Sequence, residues 1–428
     1  MGGSIPWRRN FALILALESL WAFGTWLAHP MTVMPNFLLR LGATPVTIGL
    51  LPGLWAIGTG CGALAAGAAA GHRRRLASWT GWLHLAATLP WLGLAAIAAS
   101  AGAGRLPPRA ALPLALACLL AFDLMMGIGL QLYFVLLARV FPERGRGRWF
   151  GALFSVSSLV GLAGPLVAAE RFIPEHAELS GYAGIFLVAW GCFVAGTLAF
   201  FLVRERAVPA VARRTVRANL GHLWRVFRAN HPLRRYLGAR AALELGALSL
   251  AFYATYARAE AGLSEHRVTQ LGLVVVATHA VASLVMGWLT GRLEWRGAPS
   301  PWIYLRAQAV AQGLSLAILL FAALGPAGAA AWFLAGASGL RISAEFVLHP
   351  NILLETGGRR ARLDHVALGA VVLMPATLLF PQAGGWAIEL AGHRPVFAVA
   401  SLVALPALRS LWRLAPHRRG GGATLARL

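Results

Sequence analysis

The chain has no lysine, only 15 acidic residues and only three cysteines among its 428 positions. Charged residues of all kinds make up 12% of it, about half of what a soluble chain carries. The cysteines, Cys61, Cys118 and Cys192, lie inside apolar blocks. They have neither metal-ligand spacing nor the numbers of a disulfide framework, and read as small core residues. No loop carries the paired Asp or His-rich cluster that a lipid-modifying membrane enzyme would need, so no catalytic group, metal or cofactor is expected. Regular polar/apolar alternation is missing too, which excludes a β-barrel.

Apolar residues fill that space: 58% of the chain, with a mean hydropathy of +0.66. They fall in twelve blocks, roughly 10–38, 46–71, 76–100, 110–140, 148–172, 181–203, 235–258, 266–291, 300–324, 327–355, 363–389 and 394–415. Each can cross a bilayer, which takes about 20 residues per helix. The first block is too long for a signal peptide and lacks a clear cleavage site, so it stays as span one. The expected fold is all-α and membrane-integral, with twelve transmembrane helices.

All 38 basic residues are Arg, and the net charge is +23. A nucleic-acid binder gathers such charge on one folded soluble face. Here Arg separates apolar blocks, which is the positive-inside pattern of a membrane protein, and no nucleic-acid partner is expected. With the amino terminus inside, 28 Arg fall on the cytoplasmic side and seven outside, while Arg240, Arg306 and Arg341 lie within spans. That bias places both termini in the cytoplasm. Arg usage without Lys and abundant Ala and Gly suggest a GC-rich genome and a bacterial inner membrane.

Residues 204–234 link spans six and seven. Leu220, Leu223, Trp224 and Phe227 recur there at helical spacing among Arg and His, as in an amphipathic helix lying on the anionic cytoplasmic leaflet. The domain expectation is a six-helix bundle over 1–203, the linker, a second bundle over 235–416, and a short Gly-rich tail over 417–428.

The halves repeat. Tyr133-Phe-Val-Leu, followed by Glu143 and Arg144, closes span four; Glu345-Phe-Val-Leu, followed by Glu355 and then Arg359, closes span ten. Gly67-Ala-Ala-Ala-Gly71-His72-Arg73 after span two answers Gly287-Trp-Leu-Thr-Gly291-Arg292 after span eight. A six-plus-six duplication is a transporter architecture with its solute site near the midplane.

On these residues the chain resembles the major facilitator superfamily (MFS) along nearly its whole length. The family carries Gly, three residues, Asp and basic residues after spans two and eight. Gly67, Arg73, Gly287 and Arg292 fall on that pattern, while Gly71 and Gly291 stand where the gate-latching Asp would be. Proton-driven exporters of the family carry Leu, three residues, Arg, three residues, Gly-x-Gly in span four. Leu119, Gly127 and Gly129 match, with Asp123 in the Arg place. Gly164-Pro165 keeps the start of the exporter pattern in span five. The resemblance implies two six-helix repeats around a central cavity lined by spans one, four, seven and ten.

Four acids lie inside spans: Glu18, Asp123, Glu244 and Glu345. A charge at the bilayer centre is costly and must face a cavity or a partner; these four fall in spans one, four, seven and ten. Helical spacing sets Glu18, Thr25 and His29 on one face of span one, and Asp123, Gly127 and Gln131 on one of span four. It makes Arg240–Glu244 an i,i+4 pair, and Arg341, Glu345 and His349 a stripe on span ten. These stripes are expected to face one aqueous pathway. The alternatives are plain intrahelical ion pairs, with Arg240 snorkelling to the surface. Arg341 would be a resting partner for Asp123 or a clamp on an anionic solute. His84 and His279 read as packing residues, and the 16 Trp mostly as lipid-facing or interfacial.

The function expected is secondary active transport of a small solute by alternating access. It is expected to be proton-coupled through one of the four acids, to run as a monomer, and to lean towards export. The alternatives are a transporter-like sensor or assembly protein without flux, and a polytopic lipid-modifying enzyme.

Overall fold

The computed structural model describes residues 6–70, 75–142, 146–173, 178–205, 215–296, 300–356 and 362–414. Among them are twelve helices long and apolar enough to cross a membrane. Spans one to six are Trp7–Leu27, Pro45–Ala65, Ala77–Gly102, Pro108–Val140, Gly147–Phe172 and Leu179–Leu202. Spans seven to twelve are His231–Ala259, Glu265–Trp295, Trp302–Leu324, Ala327–Thr356, Asp364–Ala391 and His393–Leu414. No strand occurs among the described residues. The face that carries span one's start and span twelve's end is called the termini face below, and the opposite one the far face. Far-face turns are tight: Gly42, Gly104, Gly262 and Gly392 each adopt positive φ, which only glycine takes without strain.

The duplication read from the sequence recurs in the packing. Span two packs on span four and span three on span six; correspondingly, span eight packs on span ten and span nine on span twelve. The register that pairs Tyr133 with Glu345 also pairs Gly127 with Gly339. A Cβ on Gly127 would stand 1.9 Å from the Gly58 carbonyl oxygen of span two, and one on Gly339 2.2 Å from the Val275 oxygen of span eight. Two glycines at matching positions therefore let each half bring two backbones into direct contact. Between the halves, span two lies along span eleven and span five along span eight.

Three expectations change. Span one ends at Leu27, and a separate helix, Val33–Arg40, follows. The break falls around Pro30, which has no amide N–H to give, and His29 Nδ1 accepts from the Met31 amide at 3.1 Å. His29 therefore lies beyond the helix that carries Glu18 and Thr25. Span ten is not a regular α-helix either: Ala344–Leu348 is a π-turn, so Arg341 and Glu345 lose α-helical spacing. Finally, Trp82, Trp288, Trp332 and Trp386 point outward as expected, but Trp21, Trp26 and Trp91 are buried core residues.

The linker contains a helix, Val216–Ala229, capped by Thr215 Oγ1, which accepts from the Ala218 amide. Its inner face ties two spans together. Asn219 Nδ2 donates to the Leu64 carbonyl of span two at 3.0 Å, and His222 Nε2 lies 2.8 Å from Asp364 at the start of span eleven. Leu220 and Trp224 face outward. Just before the linker, Glu205 accepts from the Leu76 and Ala77 amides at the start of span three, where a helix N-terminus favours negative charge. Gly71, Arg73 and the tail over 417–428 lie outside the described residues; Gly67 is in the helix that continues span two, Pro45–Ala70.

Candidate functional site

The buried charges of the second half form one connected network. Glu244 sits in a 3-10 turn of span seven, Leu243–Ala247. One of its carboxylate oxygens accepts from Arg240 and the other from Arg341 Nη2 at 2.8 Å. Arg240 also donates to Glu345 of span ten. Arg341 Nη1 donates to Gln312 Oε1 of span nine at 2.8 Å and makes a longer contact, 3.4 Å, to the Leu243 carbonyl. The order Glu345, Arg240, Glu244, Arg341 alternates in sign, so each charge in this network has a counter-charge. Arg240 is 2% exposed, so it does not snorkel. At the other end the Glu345 side chain is 41% exposed. His349 Nε2 lies 4.0 Å from Glu345, and its Nδ1 lies 2.6 Å from the Tyr236 hydroxyl. Arg341 thus pairs with Glu244 of span seven, neither with Asp123 nor along its own helix with Glu345.

The first half holds its acids differently. Glu18 faces the Tyr133 hydroxyl of span four. Asp123 is buried where span four backs onto Gly58 of span two. Neither makes an ion pair among the described residues. Gln131 is buried with its carbonyl oxygen unpartnered, and Thr25 is half-buried. The four acids therefore do not share one stripe. In the first half two acids make no ion pair among the described residues; in the second, Glu244 lies between Arg240 and Arg341, and Glu345 pairs with only one of these arginines, Arg240.

Rings from the two halves meet in an aromatic bridge that the residue patterns did not single out. Phe134 and Phe346, which the repeat aligns, come together with ring centroids 6.5 Å apart. Phe154 and His279 flank Phe346 at 5.3 and 6.3 Å, and Trp26 meets both His279 and His29. His279 is a packing residue in part only, since its Nδ1 lies 2.8 Å from Ser343 Oγ of span ten. The repeat was the available signal: aligned residues near a pseudo-twofold axis must approach one another.

The halves also meet at both faces. On the termini face, Gly151 of span five packs on Gly287 of span eight, where a Cβ on either would lie 2.6 Å from the other's Cα. A Cβ on Gly291 would lie 3.0 Å from Arg148 Cβ. An aspartate at 291 would have to displace that arginine. Arg292 stacks over Trp288 at 5.1 Å. On the far face, Arg40 and Tyr182 of the first half both bind Glu265 at the start of span eight, with the Arg40–Glu265 pair at 2.9 Å. The Glu265 contact holds the Arg40 guanidinium pKa above its ordinary value. Glu389 and Gln382 of span eleven bind the Val46 backbone. Among the described residues no group of three or more His, Cys, Asp or Glu could hold a metal.

Family models find no match to the sequence, and neither do curated proteins. Solved structures do. The human organic anion transporter MFSD10 superposes with a TM-score of 0.64 at 15% identity, covering 95% of this chain and 100% of that one. A bacterial homologue of the iron transporter ferroportin, in an outward-facing state, gives 0.66 at 18% identity, with 96% and 100% covered. The E. coli fucose:proton symporter FucP gives 0.60 at 16% identity, with 95% and 97% covered. The chain has the major facilitator fold. It is a multi-pass membrane protein, with twelve helices among the described residues long and apolar enough to cross a bilayer.

Within that fold, the Arg40–Glu265–Tyr182 contact ties the two halves together at the far face. Glu265→Gln removes one charge from a partly exposed pair, worth up to about 1 kcal/mol. Far-face opening should rise by up to about fivefold. Maleimide labelling of an Asn36→Cys variant, with the native cysteines changed to Ser, reads this. Asn36 is fully buried one turn before Arg40 on the same helix, and unchanged labelling would show that the contact does not hold the far face closed.

Proposed function

We propose that the protein is a secondary active transporter that moves a small polar solute by alternating access, coupled to protons and working in the direction of export. The observation that carries the reading is the division of labour among the buried charges. The second half holds a self-compensated network whose one open end, Glu345 with His349, lies beside the aromatic bridge between the halves. The first half holds two acids with no basic partner.

The roles follow from the chemistry. A proton competing for Glu244 must displace two guanidinium groups, which makes that site a poor carrier. Glu18 and Asp123 face no such competition, and we assign them the proton. Glu345, His349 and Arg341 are assigned to the solute side, where a bound solute would exchange hydrogen bonds with the network. Residues 1–203 and 235–416 are the two moving bodies, joined by 204–234. The Arg asymmetry puts both termini in the cytoplasm, and the residues kept from exporter patterns in spans four and five support the direction. The protein works as a monomer in a bacterial inner membrane.

Neighbouring structures carry an organic anion, fucose with a proton, and iron, so the fold does not fix the charge of the solute. The test is uptake into proteoliposomes under an imposed pH gradient, with fucose, a nucleoside and a panel of organic anions. Asp123→Asn and Glu18→Gln should keep solute exchange but lose the response to the gradient; Glu345→Gln should lose both by about tenfold or more. Full gradient dependence in both Asp123→Asn and Glu18→Gln would place the coupling elsewhere. A ligand that raises thermal stability yet never crosses the membrane would favour a sensor.

A further inference from the structure

The termini-face ends of spans seven, nine and twelve border a groove lined by none of the residues assigned above to proton or solute. Its outer part, about 430 Å³, is bordered by Arg235, Arg409, Ser410 and Arg413. It continues into a second groove of about 400 Å³, lined by Leu405, Leu408, Trp412 and Ala309 and sharing Arg409 with the first. Arg409 and Arg413 are one turn apart on span twelve, and Arg235 comes from the start of span seven. No acidic side chain pairs with these three arginines among the described residues. The Arg306 guanidinium stacks on the Trp412 ring at 3.9 Å and fixes the indole as a wall.

We propose that this groove binds one anionic phospholipid, with its phosphodiester between Arg235, Arg409 and Arg413 and an acyl chain along Leu405, Leu408 and Trp412. Three features select that ligand. Unopposed guanidinium groups bind phosphate oxygens by charge-assisted, often paired hydrogen bonds. Basic pockets between helices at one membrane face suit lipid headgroups. The order along span twelve also matches a lipid's own axis: Arg413 is outermost, and Leu405 lies deeper by about 12 Å at 1.5 Å per residue. A free phosphate would use the arginines and leave the apolar groove without an occupant. Leu405 and Trp412 are both exposed on the outer side, so a chain can enter from the bilayer.

The experiment is native mass spectrometry of the full-length protein in detergent, titrated with phosphatidylglycerol or phosphatidylcholine. The wild type should retain one phosphatidylglycerol in preference to phosphatidylcholine. A triple variant, Arg235→Gln with Arg409→Gln and Arg413→Gln, should bind it more weakly by a factor on the order of 100, from three near-surface cationic contacts. The pair Arg105→Gln and Arg109→Gln, exposed on the far face, should bind like the wild type. A brominated-chain phosphatidylglycerol should quench wild-type fluorescence more than that of Trp412→Phe, a readout that leaves the arginines intact. The proposal fails if the triple variant binds as the wild type does, if the two lipids bind the wild type equally, or if glycerol phosphate displaces the lipid at equal concentration.

Discussion

Glu244→Gln is expected to lower stability by about 3–5 kcal/mol, the usual cost of breaking a buried ion pair from one side. Among the described residues Glu244 alone of the carboxylates touches both Arg240 and Arg341, and neutralising it leaves two buried guanidiniums facing each other across one amide. Arg341 would keep Gln312, and Arg240 would keep Glu345, so the fold should weaken rather than vanish. The double variant Glu244→Gln with Arg341→Gln should recover part of the loss, because it removes the charge left unpaired. Arg341→Lys should not be silent: one ammonium cannot reproduce the planar fork that reaches Glu244 and Gln312 together. By contrast Asp123→Asn breaks no ion pair and should cost little stability. Thermal unfolding in detergent, followed by tryptophan fluorescence, ranks these variants. Equal losses for Glu244→Gln and Asp123→Asn would contradict the network.

Gly287→Leu is expected to slow transport by propping one face open. Its Cβ would lie 2.6 Å from the Gly151 Cα, a backbone atom that no side-chain rotation can move. The strain, about 1–3 kcal/mol for overpacking, falls only on the state in which spans five and eight meet at the termini face. That shifts the equilibrium between faces by about 5- to 150-fold. Flux should fall accordingly while thermal stability changes less than in Glu244→Gln. Gly291→Asp would restore the acid of the family pattern and should act more mildly, since it meets the Arg148 side chain rather than backbone.

Much of the architecture was legible because it rests on long-range composition. Apolar block length gives most spans to within a few residues, span one excepted, which ends at Leu27 rather than near 38. The repeat of Tyr133-Phe-Val-Leu in Glu345-Phe-Val-Leu carried more than it was asked to: extended by two turns it reaches Gly127 and Gly339, and in space it brings Phe134 to Phe346. The site was legible only as a set of residue types. Spacing along a regular helix put Arg341, Glu345 and His349 on one stripe, but the π-turn at Ala344–Leu348 redirects Arg341 towards span seven, and no local residue signals that turn. Pairing between helices is likewise invisible to spacing. Arg240 was read with its i,i+4 partner Glu244, correctly, while its second partner lies 105 positions away. His29 falls outside the Glu18–Thr25 face because the helix ends at Leu27, just before Pro30.

The central claim is that the two halves open in turn at the two faces. Pulsed electron paramagnetic resonance tests it with two spin-label pairs on a protein whose native cysteines are Ser. One pair is on the far face, at Arg105 and Gly328, and one on the termini face, at Arg8 and Arg413, all exposed sites. Alternating access predicts two distances for each pair, with populations that move in opposite directions: Gly287→Leu should enrich the long distance at the termini face and the short one at the far face. A single distance at both faces, unmoved by Gly287→Leu and by a pH change, would contradict it.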